Sequence, residues 1–557
     1  MQDLQQRRLD IGEQCFVDEA AGTNALTRLI GLDDAARRRI GDEAAAIVRQ
    51  LRAAANPGLM EQFLAEYGLS TREGIALMTL AEAFLRTPDA LTLDELIRDK
   101  IGSGDWDSHR ASGGTLLISA STWALMLTGR VLAEEESYEA EFMETVHAII
   151  RRLGEPVVRA AVEQSMRILG QQFVLGRDIG EALKKAAPME ARGWLYSYDM
   201  LGEAACTTAD ATRYFQAYAN AISALSAGAA SDDCNQNPGI SVKLSALHPR
   251  YEYVQRERVM AELVPAVSAL TLQARAANIG FSIDAEEMDR LELSLDVIEA
   301  VLQSPALAGW HGFGAVVQTY CKQAMAVIDW LYELARGLDR RIAVRLVKGA
   351  YWDSEIKHAQ VLGLENYPVF TRKAHTDLSY IAAAARLFEM SDRIYPQFAT
   401  HNAHTASAVL EMGGARGGPG GAYEFQRLHG MSEALHEILA ERTEIPSRIY
   451  APVGVHKDLL AYLVRRLLEN GANSSFVHRL LDADVPVTSL VADPVIEAAE
   501  TKGAMHPRIP LPTAIFAPER ENSKGIDLNN PFEAGRLDKD MSPFRHQAWK
   551  AAPGTSS

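Results

Sequence analysis

A chain of 557 residues is longer than the roughly 250–300 residues at which a single hydrophobic core stops growing, so more than one folded region is expected. With 47% hydrophobic and 23% charged residues the composition is that of a globular protein, and no window approaches the roughly 18 uninterrupted apolar residues of a membrane-crossing helix. The net charge of −17, with no basic run to offset it, argues against a nucleic-acid partner, and four widely spaced cysteines (Cys15, Cys206, Cys234, Cys321) argue against a disulfide framework or a thiolate metal site.

The N-terminus carries no signal-peptide pattern, and the cysteine usage points to a reducing, cytoplasmic setting. Residues 1 to about 190 read as successive helices, divided into a helical arm (1–85) and a helical domain with linker (86–190). Within them, Ser70–Asp99 repeats apolar residues at helical spacing, and Thr92 with Glu95 forms a capping box. No catalytic grouping stands out there. Such arms serve packing or self-association, which leaves a homodimer open.

From Trp194 short β-rich runs alternate with amphipathic helices. The strand candidates are Trp194–Asp199, Ile240–Ser245, Phe281–Ala285, Gly312–Thr319, Ile342–Lys348, Gln397–Thr400, Tyr423–Leu428 and Arg448–Val453. Eight such units in roughly 290 residues predict an α/β fold, a (β/α)8 barrel over 191–485 preceded by the all-helical region. Residues 486–557 read as a linker or tail, with a Pro- and Asn-rich stretch at Pro507–Asn530.

In such a barrel the reacting groups project from the C-terminal ends of the strands. Those ends are polar: Lys243, Asp284 with Glu286, Gln318, Arg345 to Trp352, Thr400-His401-Asn402 and Tyr450. Arg345 and Lys348 put two cations on an apolar strand, which calls for an anionic or electron-accepting partner. After the eighth strand, Tyr462, Arg465, Arg466 and Glu469 share a helical face, where Glu469 can hold one guanidinium while the other takes a small carboxylate. His401 and His404 have metal-like spacing without a third ligand, so no metal is expected; Gly413–Gly421 lacks the ending of a phosphate loop.

The segments Gly239–Arg250, Arg345–Trp352, Phe398–His404, Tyr423–Gly430, Arg448–Gly454 and Tyr462–Asn473 closely resemble the proline dehydrogenase domain of the bacterial bifunctional proline-utilisation flavoproteins, across roughly residues 60–490. The resemblance implies oxidation of L-proline to pyrroline-5-carboxylate by hydride transfer to FAD, the first step of proline catabolism. It also implies delivery of electrons to a membrane quinone, with peripheral association at the inner face of the cell membrane when the chain is reduced. It makes Arg465 and Arg466 the carboxylate clamp, joined by Lys243, with Asp284, Tyr450, Tyr462, Ala350, Tyr351 and Leu428 around the substrate and Glu203 as partner of an Arg gating the pocket. The flavin contacts it implies are Arg345, Gln318, Val347, Lys348, Gly349, Ala350, Trp352, Thr371, Lys373, Thr400, His401 and Glu424, with Asp284 and Glu469.

Larger family members carry an N-terminal ribbon-helix-helix DNA-binding domain, and longer ones an aldehyde dehydrogenase. Neither is expected here, although the stretch from Pro507 resembles the connector to that second enzyme and suggests a shortened chain. Two other functions stay open on the residues alone: a flavin-independent barrel enzyme acting on an anionic metabolite, and a non-catalytic regulatory or scaffold protein.

Overall fold

Along each strand of the second half of the chain, apolar residues alternate with small or polar ones, and this period of two sends one set outward and the other into the lumen. The computed structural model describes residues 2–54, 92, 173–416, 422–455, 462, 465–466, 476–482 and 484–550. In it the runs form eight parallel strands: β1 (Leu195–Met200), β2 (Gly239–Val242), β3 (Gly280–Ile283), β4 (Phe313–Gln318), β5 (Ile342–Val347), β6 (Ile394–Ala399), β7 (Glu424–Leu428) and β8 (Ser447–Val453). Each pairs with the next, and β8 pairs back to β1 from Leu195↔Arg448 to Met200↔Val453, closing the barrel.

Tyr198, Ile240, Phe281, Phe313, Leu346, Phe398 and Ile449 are fully buried in one continuous core with the surrounding helices. The inward set is polar. Ser197 bonds to Ser241, Arg345 reaches across to both serines, and Arg448 and Gln397 converge on Glu424. Barrels of this class commonly fill the lumen with branched aliphatic side chains; here a hydrogen-bonded ionic column takes their place.

Before β1 lie α1 (Gln2–Gln14), α2 (Glu19–Ile30), α3 (Asp34–Ala54) and α4 (Ile179–Glu190). Between the strands run α5 (Thr208–Leu225), α6 (Arg256–Ala276), α7 (Leu291–Leu302), α8 (Ala324–Gly337), the pair α9 (Trp352–Leu362) and α10 (Lys373–Glu389), α11 (Ala403–Arg416) and α12 (Glu433–Arg442). A reciprocal Thr207–Asp210 capping box starts α5. Helix α10 is apolar nearly all round because it is covered on every side, by β5 and β6 beneath and by α2 and α11 outside.

The N-terminal helices do not project as a free arm. Helix α1 lies on α8, with Arg8 5.4 Å from the centre of the Trp330 ring and paired with Glu292 and Asp296; α2 lies on α10 and α3 on α11. The Ser70–Asp99 helix, its capping box and most of the 86–190 region lie outside the described residues.

Two strand boundaries differ from expectation by three residues, the others by two or fewer. The second run ends at Val242 because Leu244–Leu247 turns into a short helix, leaving Lys243 at the junction. The sixth begins at Ile394, three residues before expected, and contains Pro396; the ladder to β7 starts only at Gln397, so the missing N–H costs no bond on that side. The C-terminal stretch is a strap, not a free tail. The Tyr367 hydroxyl donates to Pro510 O (2.7 Å), the Asn522 amide to Gln360 O (2.7 Å) and the Gly525 N–H to Leu362 O (2.7 Å), before α13 (Pro531–Met541). Prolines and asparagines conceal such a strap, because its bonds are irregular and leave no period.

Candidate active site

The strand ends meet at the C-terminal mouth of the barrel. The Lys243 ammonium is buried and donates to Asp199 Oδ2 (2.8 Å), Asp284 Oδ2 (3.3 Å) and the Tyr450 hydroxyl (3.3 Å). Tyr450 in turn donates to Asp284 Oδ2 at 2.7 Å. From β5, Arg345 crosses the lumen to Asp284 Oδ1 (2.9 Å), Ser241 Oγ (2.9 Å) and Ser197 Oγ (3.3 Å), and its guanidinium lies 5.1 Å from the centre of the Tyr450 ring. Two carboxylates therefore face two cations in a site nearly closed to water, so the charges balance where none could stand alone.

Burial pushes the Asp199 carboxyl up against the pull of Lys243. Burial also opposes the charge on Lys243, but Asp199, Tyr450 and Asp284 outweigh it and hold its pKa well above the ordinary lysine value. For Tyr450, burial and then the two carboxylates raise the phenol well above its usual range, so it keeps its proton and can donate.

Beside this cluster the Arg465 fork closes on Glu203, Nη1 to Oε1 and Nη2 to Oε2, each 2.7 Å, and lies 5.0 Å from the centre of the Tyr351 ring. Burial would raise Glu203, yet the bonds and charge of Arg465 prevail and hold it below its ordinary value. Arg466 is buried and lies 5.2 Å from the centre of the Tyr462 ring. Leu428 ends β7 opposite Tyr450. The expectation that Glu469 holds a guanidinium falls on a residue outside the described set; among the described residues Glu203 holds Arg465.

A second group lines the rim from β4 to β7. Val347 ends β5, and Lys348 and Lys373 both reach Asp377, at 2.5 and 2.8 Å; burial would raise Asp377, but the two ammoniums pull it below the usual carboxylate range. Gln318 donates to Glu286 O (2.8 Å) and the Trp352 indole to Phe370 O (2.8 Å), while Ala350 packs beside Tyr351. Gly349 has φ +132, and a Cβ there would meet Tyr320 Cδ1 at 2.4 Å, so only glycine lets the chain turn there. Burial first, then Arg466, Arg427 and Lys348, push the His401 pKa down to about 3, so the ring is neutral. His436 fixes Thr400 through the Thr400 carbonyl at 3.0 Å.

Two expected cofactor contacts do not join this rim as donors. Glu424 begins β7 and so sits at the opposite, N-terminal end of the barrel, held by Arg448 (2.7 Å), Gln397 (2.9 Å) and Gln426 (2.7 Å). Thr371 has both its donors on Glu19 of α2, the N–H at 3.0 Å and the hydroxyl at 2.9 Å. Conversely, sequence reasoning passed over Asp199, Ser197 and Ser241. The first had a signal, a lone acid closing the run Trp194–Asp199; serines within a strand have none.

A family model described as Proline dehydrogenase matches residues 182–479. Another, described as DNA-binding domain of Proline dehydrogenase, matches residues 59–173. The chain is 50% identical over 516 residues to the bifunctional protein PutA of Salmonella typhimurium, covering 90% of this chain and 39% of that protein. It is 26% identical to the proline dehydrogenase of Deinococcus radiodurans, covering 59% of this chain and 95% of that one. A crystal structure of bifunctional proline utilization A superimposes with a TM-score of 0.75 at 49% identity, covering 98% of this chain and 54% of the other. The chain thus spans well under half the length of the Salmonella relative. The match at 59–173 overturns the expectation of no nucleic-acid partner. Net charge sums over the whole molecule and does not fix the field at one face of one module, and those residues are almost all outside the described set.

Proposed function

The chain belongs to the proline dehydrogenase family, and from that premise we propose that it oxidises L-proline to pyrroline-5-carboxylate with FAD as hydride acceptor and a membrane quinone as the final electron acceptor. The observation that carries this is the balanced Asp199–Lys243–Asp284–Arg345 cluster at the barrel mouth beside Arg465 and Arg466.

The residues present fit a flavin. Arg345 Nε is buried with no hydrogen-bond partner among the described residues, Lys348 and Lys373 supply positive charge at the rim, and Gly349 keeps the strand end clear of a side chain. When bound, the flavin supplies the two-electron acceptor for the hydride from the ring carbon beside nitrogen. Arg345, Lys348 and Lys373 stabilise negative charge near it. Arg466 takes the substrate carboxylate, and Arg465 shares it by turning part of its fork from Glu203. Tyr450 keeps its phenolic proton and directs it to Asp284 Oδ2, which fixes the floor beneath the substrate ring. Held this way, the transferring carbon approaches in one orientation. The substrate amine sheds its proton beforehand, so no side-chain base is required to accept it.

Among the described residues no helix is long and apolar enough to cross a membrane. Access to a quinone by peripheral contact at the inner face of the cell membrane is part of the same proposal. The visible spectrum of the purified chain tests the proposal: a flavin band that bleaches on adding L-proline is expected, and a band indifferent to proline, or none, overturns it.

A further inference from the structure

The inference rests on the proline dehydrogenase reading of the site and concerns Asp199. The Lys243 ammonium has three N–H bonds and three acceptors around it, but the acceptors are unequal. Asp199 Oδ2 stands at 2.8 Å, whereas Asp284 Oδ2 and the Tyr450 hydroxyl stand at 3.3 Å. The two distant acceptors are also engaged elsewhere, Asp284 by Arg345 at 2.9 Å and by Tyr450 at 2.7 Å. Among the described residues the only cation paired with Asp199 is Lys243. Asp199 is fully buried, on the strand next to the one that leads into Lys243.

A carboxylate entering the mouth competes for Lys243. It can replace Asp284 and Tyr450, since each keeps its other partner when released. Replacing Asp199 would leave a buried carboxylate without its cation, which is far more costly. The ammonium therefore swings about one fixed point.

We propose that Asp199 is a positioning residue for substrate binding: it pins the Lys243 ammonium while Asp284 and Tyr450 yield it to the carboxylate of the incoming amino acid. Asp199 touches neither substrate nor cofactor in this role and acts only through Lys243, so its contribution vanishes when the ammonium is removed.

The test uses the flavin-loaded full chain as wild type, Asp199→Asn, Lys243→Met and the double variant. KM and kcat are measured with L-proline, and cyclopentanecarboxylate, which has the acid and the ring but no amine, is titrated calorimetrically. Asp199→Asn is expected to raise KM and the dissociation constant of cyclopentanecarboxylate about tenfold, the scale of one charged hydrogen bond. It should change kcat by less than about threefold, since the lost interaction is one of binding. In the Lys243→Met background the same substitution should add less than about twofold, the signature of two residues acting as one. Flavin content should match across the set, while the melting temperature should fall most in Lys243→Met, where Asp199 keeps a buried charge without its cation, and recover in part in the double variant. Multiplicative effects in the double variant, unchanged cyclopentanecarboxylate binding in Asp199→Asn, or loss of the fold on that substitution would each overturn the proposal. If wild type leaves proline unoxidised, the functional reading fails instead, and the calorimetric cycle still decides the role of Asp199.

Discussion

At the residue scale, the site is a set of charges each of which is tolerable only because of a neighbour. Arg465 is held by both oxygens of Glu203, and Arg466, the arginine proposed to take the substrate carboxylate, lies buried beside the Tyr462 ring. Replacing Arg466 by Met keeps the length and removes the charge. It should raise KM for proline about a hundredfold, the upper end for a charged hydrogen bond, while absorbance shows the flavin content unchanged. Unaltered KM would remove Arg466 from the clamp. His436 offers a pH test. Burial pushes its pKa down to about 3, so the folded state resists a proton that the unfolded state accepts near pH 6.5. Its stabilising contribution is complete above about pH 6.5 and is lost as the pH falls towards the folded value, about 2 kcal/mol between pH 7 and pH 5. His436→Gln keeps an N–H donor for Thr400 O but does not titrate. Urea unfolding at the two pH values should show a loss smaller by that amount in the variant.

At the element scale, the position of a residue along its strand decides whether it can reach the mouth. Glu424 and Leu428 open and close β7, and at a strand rise of about 3.3 Å per residue they stand about 13 Å apart. A single motif spanning both therefore holds one residue of the site and one of the opposite end. Glu424→Gln leaves Arg448 charged and buried without its carboxylate, which should cost about 3–5 kcal/mol in urea unfolding. The folded fraction should bind proline and flavin as wild type does; weakened flavin binding would return Glu424 to the cofactor site. Helix α2 shows the converse. Glu19 is distant in sequence from the barrel, yet it holds Thr371 and the His375 ring (2.6 Å), fixing the start of α10, where Lys373 stands. No local pattern announces such a bond, because a buried carboxylate in a first helical turn has the sequence signature of an ordinary surface acid.

At the scale of the whole molecule, the N-terminal helices and the C-terminal strap hold the barrel from outside, and neither carries the proposed chemistry. Since the proposed electron acceptor is a membrane quinone, the proline-reduced chain should sediment with phospholipid vesicles more than the oxidised chain. Equal partition in the two redox states would remove peripheral docking as a redox-dependent step. By itself the sequence determined the eight strands, their order and the polar character of their ends, because period two and strand-end chemistry are local and survive unfolding. It also carried the strand-end cations and the two arginines. Only the tertiary structure decided that Asp199 faces Lys243, that the arginine Glu203 holds is Arg465, and that Glu424 lies at the end of the barrel opposite the mouth. Those facts depend on which strand sits beside which and on how far along each strand a side chain stands. Closing the barrel sets both at once, by joining residues hundreds of positions apart such as Lys243 and Tyr450.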